Sequence, residues 1–434
     1  MRKYILPLFF LTLSLLFYKY GKNKDPKPHL TIAGYVNLAD GIGRQSSELL
    51  QALYKKIPVN FLSTREHNYT DVPKEVLKII HKGAPKFGKI IIYEDFLEYP
   101  EFTKSVLEKA PGESIKIAYS MTEYSQVPKV WVKQLNDYFD AVVVPDPFLV
   151  DVYRNSGVAS PIFVLPLGLN LEEFLQRELK KCPHDPFTFV NLSSCIDRKN
   201  LPLLVAAFGK AFGNSNKVCL RINSRSADPI CEFKLLKTME KLQLNNVHYT
   251  YGPLSKEEYL KIFSSADCFV SLSKGEGFSI QPREAMALGL PCIVTDNTAQ
   301  HTICESSLVK KIPSNREEPS WLEQALQPVG TCWNCDLDEA AHALRDVYEN
   351  YDQFLKNGHA ARQWAAQYLF SNLKSYYESL VNPRKIILSD INEIAKDHIK
   401  TNSKKLYEKY IKLFPHLSPE TSKDKSIELN AASL

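Results

Sequence analysis

Short apolar runs alternate with amphipathic helical patterns along most of the chain. The runs His29–Gly34, Lys89–Tyr93 and Ala141–Val144 are each followed by a helical pattern. The alternation starts again at Phe187–Leu192 and continues to Cys292–Thr295. Because strands that alternate with helices form parallel sheets, this pattern predicts an α/β fold with two Rossmann-like parallel sheets.

The domain organisation follows from breaks in this pattern. The polar stretch Glu172–Pro186 is the best candidate for a linker between the two α/β units, and the chain reads as helical after Leu337. The predicted segments are an N-terminal hydrophobic segment with a linker (1–27), an N-terminal Rossmann-like domain (28–170), a C-terminal Rossmann-like domain (185–345), further helices (346–380) and a basic tail that is helical or disordered (381–434).

The N-terminus carries an apolar run from Ile5 to Phe17, preceded by Arg2 and Lys3 and followed by several lysines. The run is shorter than the about 20 residues of a typical membrane-spanning helix. No small-residue cleavage motif follows it, so an uncleaved membrane anchor is preferred over a cleaved signal or a buried N-terminal element. The lysines after the run favour a body in the cytoplasm, with the secretory pathway as the alternative.

Composition narrows the class of protein only a little. The 434 residues are 44% hydrophobic and 24% charged, which excludes a collagen, a disulfide miniprotein or a polytopic transporter. The 54 Lys and Arg against 49 Asp and Glu give a net charge of +5, so nothing points to a nucleic-acid partner. The nine cysteines lack framework spacing, which is typical of reduced thiols.

The residues suited to chemistry are concentrated in the segment Ser271–Pro291. It follows an apolar strand, contains Gly275 and Gly277, and runs into a helical pattern. Glycines let backbone N–H groups approach a ligand, and a helix start favours an anion such as a diphosphate. Glu276 and Glu284 flank this turn, and carboxylates suit hydroxyl groups of sugars and ribose.

This Glu-x7-Glu region, with the strand Pro291–Asp296 after it and Ser264–Asp267 before it, resembles retaining GT-B glycosyltransferases of the family 4 type. These enzymes use nucleotide sugars. The resemblance covers about residues 29–375. It implies an N-terminal acceptor domain, a C-terminal nucleotide-sugar domain, and final helices that cross back onto the N-terminal domain.

The resemblance also implies roles for individual residues. Glu276 would contact the donor sugar and Glu284 the ribose hydroxyls. Backbone groups between them would contact the sugar or a phosphate, at Gly277, Phe278 and Ser279.

A second segment supplies the cations that such a reaction needs. Arg198 and Lys199 match an "RKN" variant of the family segment that neutralises the donor diphosphate. The commoner position of the arginine holds Ser194, so which residue supplies the second cation stays open.

Asp40–Gln45 forms a glycine-containing segment between a strand and a helical pattern. The resemblance implies donor contacts at Gly41 and Gly43, with Arg44 as a weaker candidate for an acceptor or sugar contact. The third glycine of a dinucleotide fingerprint is replaced by Ser46, which disfavours a Rossmann oxidoreductase.

A third segment departs from the family pattern. Many relatives have a histidine near Ser120 that contacts the donor sugar, and this chain has none there. Glu123 either takes part of that role or is purely structural. Asp146 replaces the usual serine after the next strand.

The predicted activity is the transfer of a sugar from a UDP- or GDP-linked donor to a hydroxyl of a glycan, lipid-linked or protein acceptor, with retention of configuration. The resemblance implies no metal and no cofactor beyond the nucleotide sugar. The rival is a catalytically degenerate GT-B protein that acts as a membrane-associated scaffold. Apolar positions in the tail, among them Leu406 and Leu413, recur at helical spacing, which favours packing on the protein itself over contact with a membrane.

Overall fold

A computed structural model describes residues 30–38, 41–54, 57–84, 86–322 and 327–379, with residues 405–406, 408–409 and 412–413 of the tail. The predicted N-terminal segment 1–27 and most of the tail lie outside the described residues. In the part of the chain that the structure describes, no helix is long and apolar enough to span a membrane.

The N-terminal domain is built on a parallel sheet whose strands are apolar along their length. Such strands need cover on both faces, which the helices between them provide. The strands are β1 (Leu30–Gly34), β2 (Val59–Ser63), β3 (Ile90–Glu94), β4 (Ile115–Tyr119), β5 (Ala141–Val144) and β6 (Ile162–Val164). Their order in the sheet is β2-β1-β3-β4-β5-β6, with Ile32 of β1 opposite Phe61 and Ile92. The helices are α1 (Gly41–Leu53), α2 (Lys74–Lys82), α3 (Pro100–Glu108), α4 (Lys129–Tyr138) and α5 (Phe148–Asn155). The predicted linker begins with a short helix, α6 (Glu172–Leu175).

The C-terminal domain repeats this architecture. Its strands are β7 (Phe187–Asn191), β8 (Val218–Ser224), β9 (Val247–Tyr251), β10 (Cys268–Ser271), β11 (Cys292–Asp296) and β12 (Lys310–Pro313). They pair in parallel in the order β12-β11-β10-β7-β8-β9. The helices are α7 (Leu201–Phe212), α8 (Pro229–Leu242), α9 (Lys256–Ser264), α10 (Ile280–Leu288) and α11 (Thr298–Cys304). The two sheets confirm the predicted α/β fold with two Rossmann-like units.

An antiparallel hairpin follows β12 and was not anticipated from the sequence. Its strands are β13 (Arg316–Leu322) and β14 (Gln327–Asn334). The hairpin pairs with the N-terminal domain, because the amide of Ser125 donates to the carbonyl of Thr331 at 3.0 Å. Gly330 permits this approach: a Cβ there would lie 2.1 Å from Ser125 Oγ.

Three helices end the described core: α12 (Leu337–Glu349), α13 (Tyr351–Ala366) and α14 (Phe370–Ser379). After α13 the chain returns to the N-terminal domain. The amide of Leu169 donates to the carbonyl of Tyr368 at 2.8 Å, and the amide of Gly168 donates to the hydroxyl of Tyr377 at 2.6 Å. Residues 367–369 separate α13 from α14, and Tyr377 of α14 reaches the end of the N-terminal domain.

The described part of the tail lies against the N-terminal domain. Leu406 and Leu413 are buried in its core, and Lys409 Nζ binds the carboxylate of Asp140 at 2.7 Å. Lys89 Nζ also donates to the carbonyl of Leu413 at 2.7 Å. At these positions the apolar stripe packs on the protein itself.

At Gly358 the backbone of α13 packs closely against the C-terminal domain. A Cβ at Gly358 would lie 2.5 Å from the carbonyl oxygen of Gly289 and 2.9 Å from Pro291 N. Backbone atoms cannot move aside cheaply, so the substitution Gly358→Ala should destabilise the protein by about 1–3 kcal/mol, although Ala normally favours a helix interior. We expect a lower midpoint in thermal unfolding followed by circular dichroism.

Gly112→Ala is the matched control, because a Cβ at Gly112 has no neighbour within 4 Å. Its midpoint should stay near that of the wild type. Equal midpoints for the two variants would contradict the packing described for Gly358.

Candidate active site

The Glu-x7-Glu segment forms a buried turn between β10 and α10, at the carboxyl edge of the C-terminal sheet. Glu276 and Glu284 are 7% and 1% exposed. The turn is fixed by a hydrogen bond from the amide of Glu276 to Thr298 Oγ1 at 2.8 Å. It ends at Ser279, whose φ of 64° lies in the left-handed region. The turn with Glu276 and the helix with Glu284 therefore lie at the cleft, where the C-terminal domain meets the N-terminal domain.

Two cations bind Glu276 directly. Lys199 Nζ forms a hydrogen bond with Glu276 Oε1, and Arg198 Nη1 lies 3.1 Å from Glu276 Oε2. Burial by itself raises the pKa of Glu276, but the charges of Lys199 and Arg198 outweigh it and bring the pKa down to about 2. Burial lowers the pKa of Lys199, and Glu276 opposes that shift. The result is a cationic pair around an ionised carboxylate.

Arg198 also joins the two domains. Its Nη2 lies 3.0 Å from Glu123 Oε1 in the N-terminal domain, and its Nη1 donates to the carbonyl of Gly275 at 2.6 Å. The predicted contact residue Glu123 is thus brought to the same cluster as Arg198, Lys199 and Glu276. Gly275 allows the domains to meet, because a Cβ there would lie 2.1 Å from the carbonyl oxygen of Glu123.

The hydrogen bond of the Ser194 side chain is made outside this cluster: Ser194 Oγ accepts from Ser226 Oγ at 2.9 Å. Arg198 and Lys199 both contact Glu276, so the two neighbouring cations occupy one cluster. The short 3-10 turn Asp197–Lys199 presents them, and Asn200 ends that turn with a left-handed φ of 58°.

Glu284 forms a second contact between the domains. Arg44 Nη1 donates to Glu284 Oε1 at 2.7 Å, and Tyr259 Oη donates to Glu284 Oε2 at 2.7 Å. Arg44 also lies 3.7 Å from Glu48 Oε1. Burial raises the pKa of Glu48 to about 7, although Arg44 acts against it. The predicted ribose ligand Glu284 therefore shares its two oxygens between an arginine and a tyrosine.

Gly41 and Gly43 do not form the predicted loop. Both lie in the first turn of α1, and Asp40 lies outside the described residues. A Cβ on Gly43 would lie 2.6 Å from the amide nitrogen of Asn37, so the glycine lets α1 start close to the segment after β1. The nearest atom to a Cβ on Gly41 would be Ile280 Cδ1 at 3.8 Å, which places Gly41 at the cleft.

The predicted backbone contacts lie in the turn between the two glutamates. A Cβ on Gly277 would lie 2.9 Å from Met121 Sδ, so this glycine faces the N-terminal domain. The Phe278 ring is buried against Tyr368 at a centroid distance of 5.5 Å, and Ser279 Oγ accepts from Gln300 Nε2 at 3.3 Å. Both side chains therefore point into the protein, leaving the backbone as the part that can meet a ligand.

Sequence reasoning missed three charged or polar side chains around this site. Tyr259 binds Glu284 as described. Lys274 is buried and bridges Asp197 Oδ2 at 2.8 Å and Glu318 Oε2 of the hairpin at 2.9 Å. Arg283 is fully buried beside Glu284. Lys274 and Arg283 both lie in the segment Ser271–Pro291, but the sequence does not show which residues their charged groups contact.

Ser120, where many relatives have a histidine, is buried, and its Oγ lies 2.8 Å from Tyr153 Oη. Among the described residues no group of three or more His, Cys, Asp or Glu side chains could hold a metal ion. Metal independence stays a prediction.

Part of the chain is similar to a known protein family. Residues 173–306 match the family model "Glycosyl transferases group 1". This part of the chain is therefore similar to group 1 glycosyltransferases. The matched residues include Arg198, Lys199, Glu276 and Glu284.

Two curated relatives and two solved structures illustrate the extent of the likeness. A putative glycosyltransferase of a Sulfolobus islandicus filamentous virus is 22% identical over 302 residues, covering 67% of this chain and 80% of the relative. An uncharacterized glycosyltransferase of Methanocaldococcus jannaschii is 28% identical over 127 residues, covering 29% of each chain.

The solved structures share the fold. The structure of Anabaena HepE in complex with UDP-glucose has a TM-score of 0.60 and 12% identity, covering 82% of this chain and 100% of that one. TarM has a TM-score of 0.53 and 15% identity over 68% of this chain. The chain spans 54% of the TarM chain.

A buried acid supports the helix that carries Arg44. Glu94 at the end of β3 accepts hydrogen bonds from Gln45 Nε2 at 3.1 Å and from Ser46 Oγ at 2.8 Å. Burial raises the pKa of Glu94 from 4.5 to about 8, with the two hydrogen bonds acting against it. Because the folded state holds this proton more tightly, its contribution to stability is complete below pH 4.5 and is lost as the pH rises through 8.

We therefore expect the free energy of unfolding to fall between pH 5 and pH 8, by up to about 1.4 kcal/mol per pH unit from this group. Urea unfolding at each pH measures it. The substitution Glu94→Gln should flatten the decline, and Glu178→Gln, at an exposed glutamate, should leave it unchanged. The same slope in Glu94→Gln and wild type would exclude Glu94 as its source.

Proposed function

We propose that this protein transfers a hexose from a nucleotide diphosphate sugar to an acceptor hydroxyl, with retention of anomeric configuration and without a metal ion. The observation that carries the proposal is the cluster of Arg198, Lys199 and Glu276 in the turn before α10, with Glu284 on α10 itself. Cations suit a diphosphate, and carboxylates suit the hydroxyls of a sugar and a ribose. The group 1 glycosyltransferase match over the same residues supports it.

In the proposed reaction, the bond between the anomeric carbon and the donor phosphate oxygen breaks, and its electron pair stays on the diphosphate. The acceptor oxygen forms the new bond on the same face, and its proton passes to the departing phosphate oxygen. Arg198 and Lys199 stabilise the charge that develops there. Retention is tested by the anomeric proton coupling of the product in NMR.

The site also suggests how the donor is bound. The backbone N–H groups at the start of α10 favour the diphosphate, and Glu276 next to the cations is placed to contact the sugar. Solved structures with this fold contain UDP-glucose or UDP, so UDP-sugars are the first donors to test, followed by GDP-sugars. The acceptor hydroxyl, from a glycan, a lipid-linked sugar or a protein, would enter from the N-terminal domain.

The substitutions Glu284→Ala and Lys199→Ala should each lower donor turnover at least a hundredfold. The first removes the ribose ligand, and the second removes one of two cations at the leaving group, where loss of a single stabilising group costs about 10²–10³ in rate. Turnover is measured as nucleotide release from a panel of UDP- and GDP-sugars with and without acceptors.

Glu178→Ala and Lys210→Ala are the matched controls, because both side chains are exposed and lie outside the cluster described above. Wild-type turnover in Glu284→Ala or Lys199→Ala would contradict the assignment of these residues. If wild-type protein releases nucleotide from no donor in the panel but still binds UDP or GDP, the degenerate scaffold replaces the enzyme as the better explanation.

We further propose that the apolar run Ile5–Phe17 anchors the protein to a membrane with its body on the cytoplasmic side. The full chain should pellet with vesicles of neutral and anionic phospholipid, and a variant lacking residues 2–20 should stay in the supernatant. If both pellet equally, the basic tail rather than the run carries the membrane contact; if neither pellets, the anchor is wrong.

A further inference from the structure

Among the residues that the structure describes, Arg283 is the largest fully buried side chain, and the chemistry proposed above does not use it. It stands on α10 directly before Glu284. Its Nη1 donates to the carbonyl of Phe278 and, at 3.1 Å, to the carbonyl of Ser279. One guanidinium edge thus holds two consecutive carbonyl groups of the turn that joins the two glutamates.

Aromatic rings enclose the guanidinium. Its central carbon lies 4.0 Å from the centroid of the Phe278 ring, 4.5 Å from that of Tyr368 and 5.9 Å from that of Trp364. Trp364 lies in the last turn of α13, and Tyr368 lies between α13 and α14, where the chain returns to the N-terminal domain. A planar cation fits between these rings, whereas an ammonium has no plane to stack.

The counterion of Arg283 comes from the other domain. Asp146, after β5, lies with Oδ2 3.5 Å from Arg283 Nη2, and Asp146 Oδ1 accepts from Thr302 Oγ1 at 2.9 Å. Asp146 is 1% exposed. The pair is therefore buried and spans the interface, so it forms only when the N-terminal domain is docked on the turn.

The geometry has a consequence for the backbone of the turn. In a trans peptide the N–H points opposite to the C=O. Because Arg283 draws the carbonyls of Phe278 and Ser279 inward, the N–H groups of Ser279 and Ile280 point away from it. These are the groups at the start of α10 that favour an anion.

We propose that Arg283 is a positioning residue for the donor turn, and that Asp146 couples its position to docking of the N-terminal domain. This inference rests on the proposed function. It adds that the guanidinium of Arg283 sets the conformation of the backbone that binds the diphosphate, without itself contacting the donor.

The test separates backbone geometry from general stability. Arg283→Lys keeps the positive charge opposite Asp146 but loses the hydrogen bonds to the carbonyls of Phe278 and Ser279 and the stacking on the aromatic rings. We expect the KM for the UDP-sugar to rise about tenfold or more, whereas a control variant whose thermal midpoint falls equally should keep the wild-type KM. Hydrogen exchange measured by mass spectrometry should become faster in the peptide that covers residues 275–281.

Arg154→Met is the matched control, because Arg154 Nη1 donates to the carbonyls of Val158 and Ser160, both at 2.7 Å, within the N-terminal domain. Its loss should lower the thermal midpoint without changing the KM. The double variant Asp146→Ser with Arg283→Leu removes both charges; it should recover stability relative to Arg283→Leu alone but keep the high KM.

An unchanged KM and unchanged exchange at 275–281 in Arg283→Lys would overturn the proposal. So would a double variant whose KM returns to the wild-type value together with its stability, because Arg283 would then only pack. A wild type with no turnover contradicts the proposed function instead, and the exchange comparison at 275–281 still decides whether Arg283 shapes the turn.

Discussion

Opposite charges from the two domains meet in the cleft, and the arrangement of the site depends on these contacts. Arg198 of the C-terminal domain binds Glu123 of the N-terminal domain, and Arg44 of the N-terminal domain binds Glu284. Each contact is largely removed from water, where an ion pair gains Coulomb energy but loses hydration. The net stabilisation is therefore small, while removal of one partner leaves a costly buried charge. Other arrangements of the two domains are disfavoured because they would leave these charges buried without a partner.

The same contacts set the charge state of the site. Glu276 stays ionised because Lys199 and Arg198 lie against it, and the pKa of Arg198 is raised because Glu123 and Glu276 outweigh the effect of its burial. Under the proposed function, a diphosphate would compete with these carboxylates for the same cations.

The contact between the two domains also depends on the small size of two glycines. Gly275 and Gly277 stand where the turn touches Glu123 and Met121 of the opposite domain, and a Cβ at either position would collide. The sequence shows these glycines as a feature suited to ligand approach. In the structure they also let the two domains pack closely, and this close packing brings Glu123 to Arg198.

The sequence by itself determined the two parallel sheets, since apolar strand runs alternating with helical patterns have few other solutions. It also determined which residue types border the turn at Glu276 and Glu284, because that turn is local in the chain. Tertiary structure alone decided which charges pair, that Gly41 and Gly43 begin a helix, and that the hairpin β13–β14 reaches Ser125. Arg283 and Asp146 lie 137 residues apart, and no local pattern encodes such a contact. Pairing at that distance is set by domain packing and by the penalty for burying a charge without its partner.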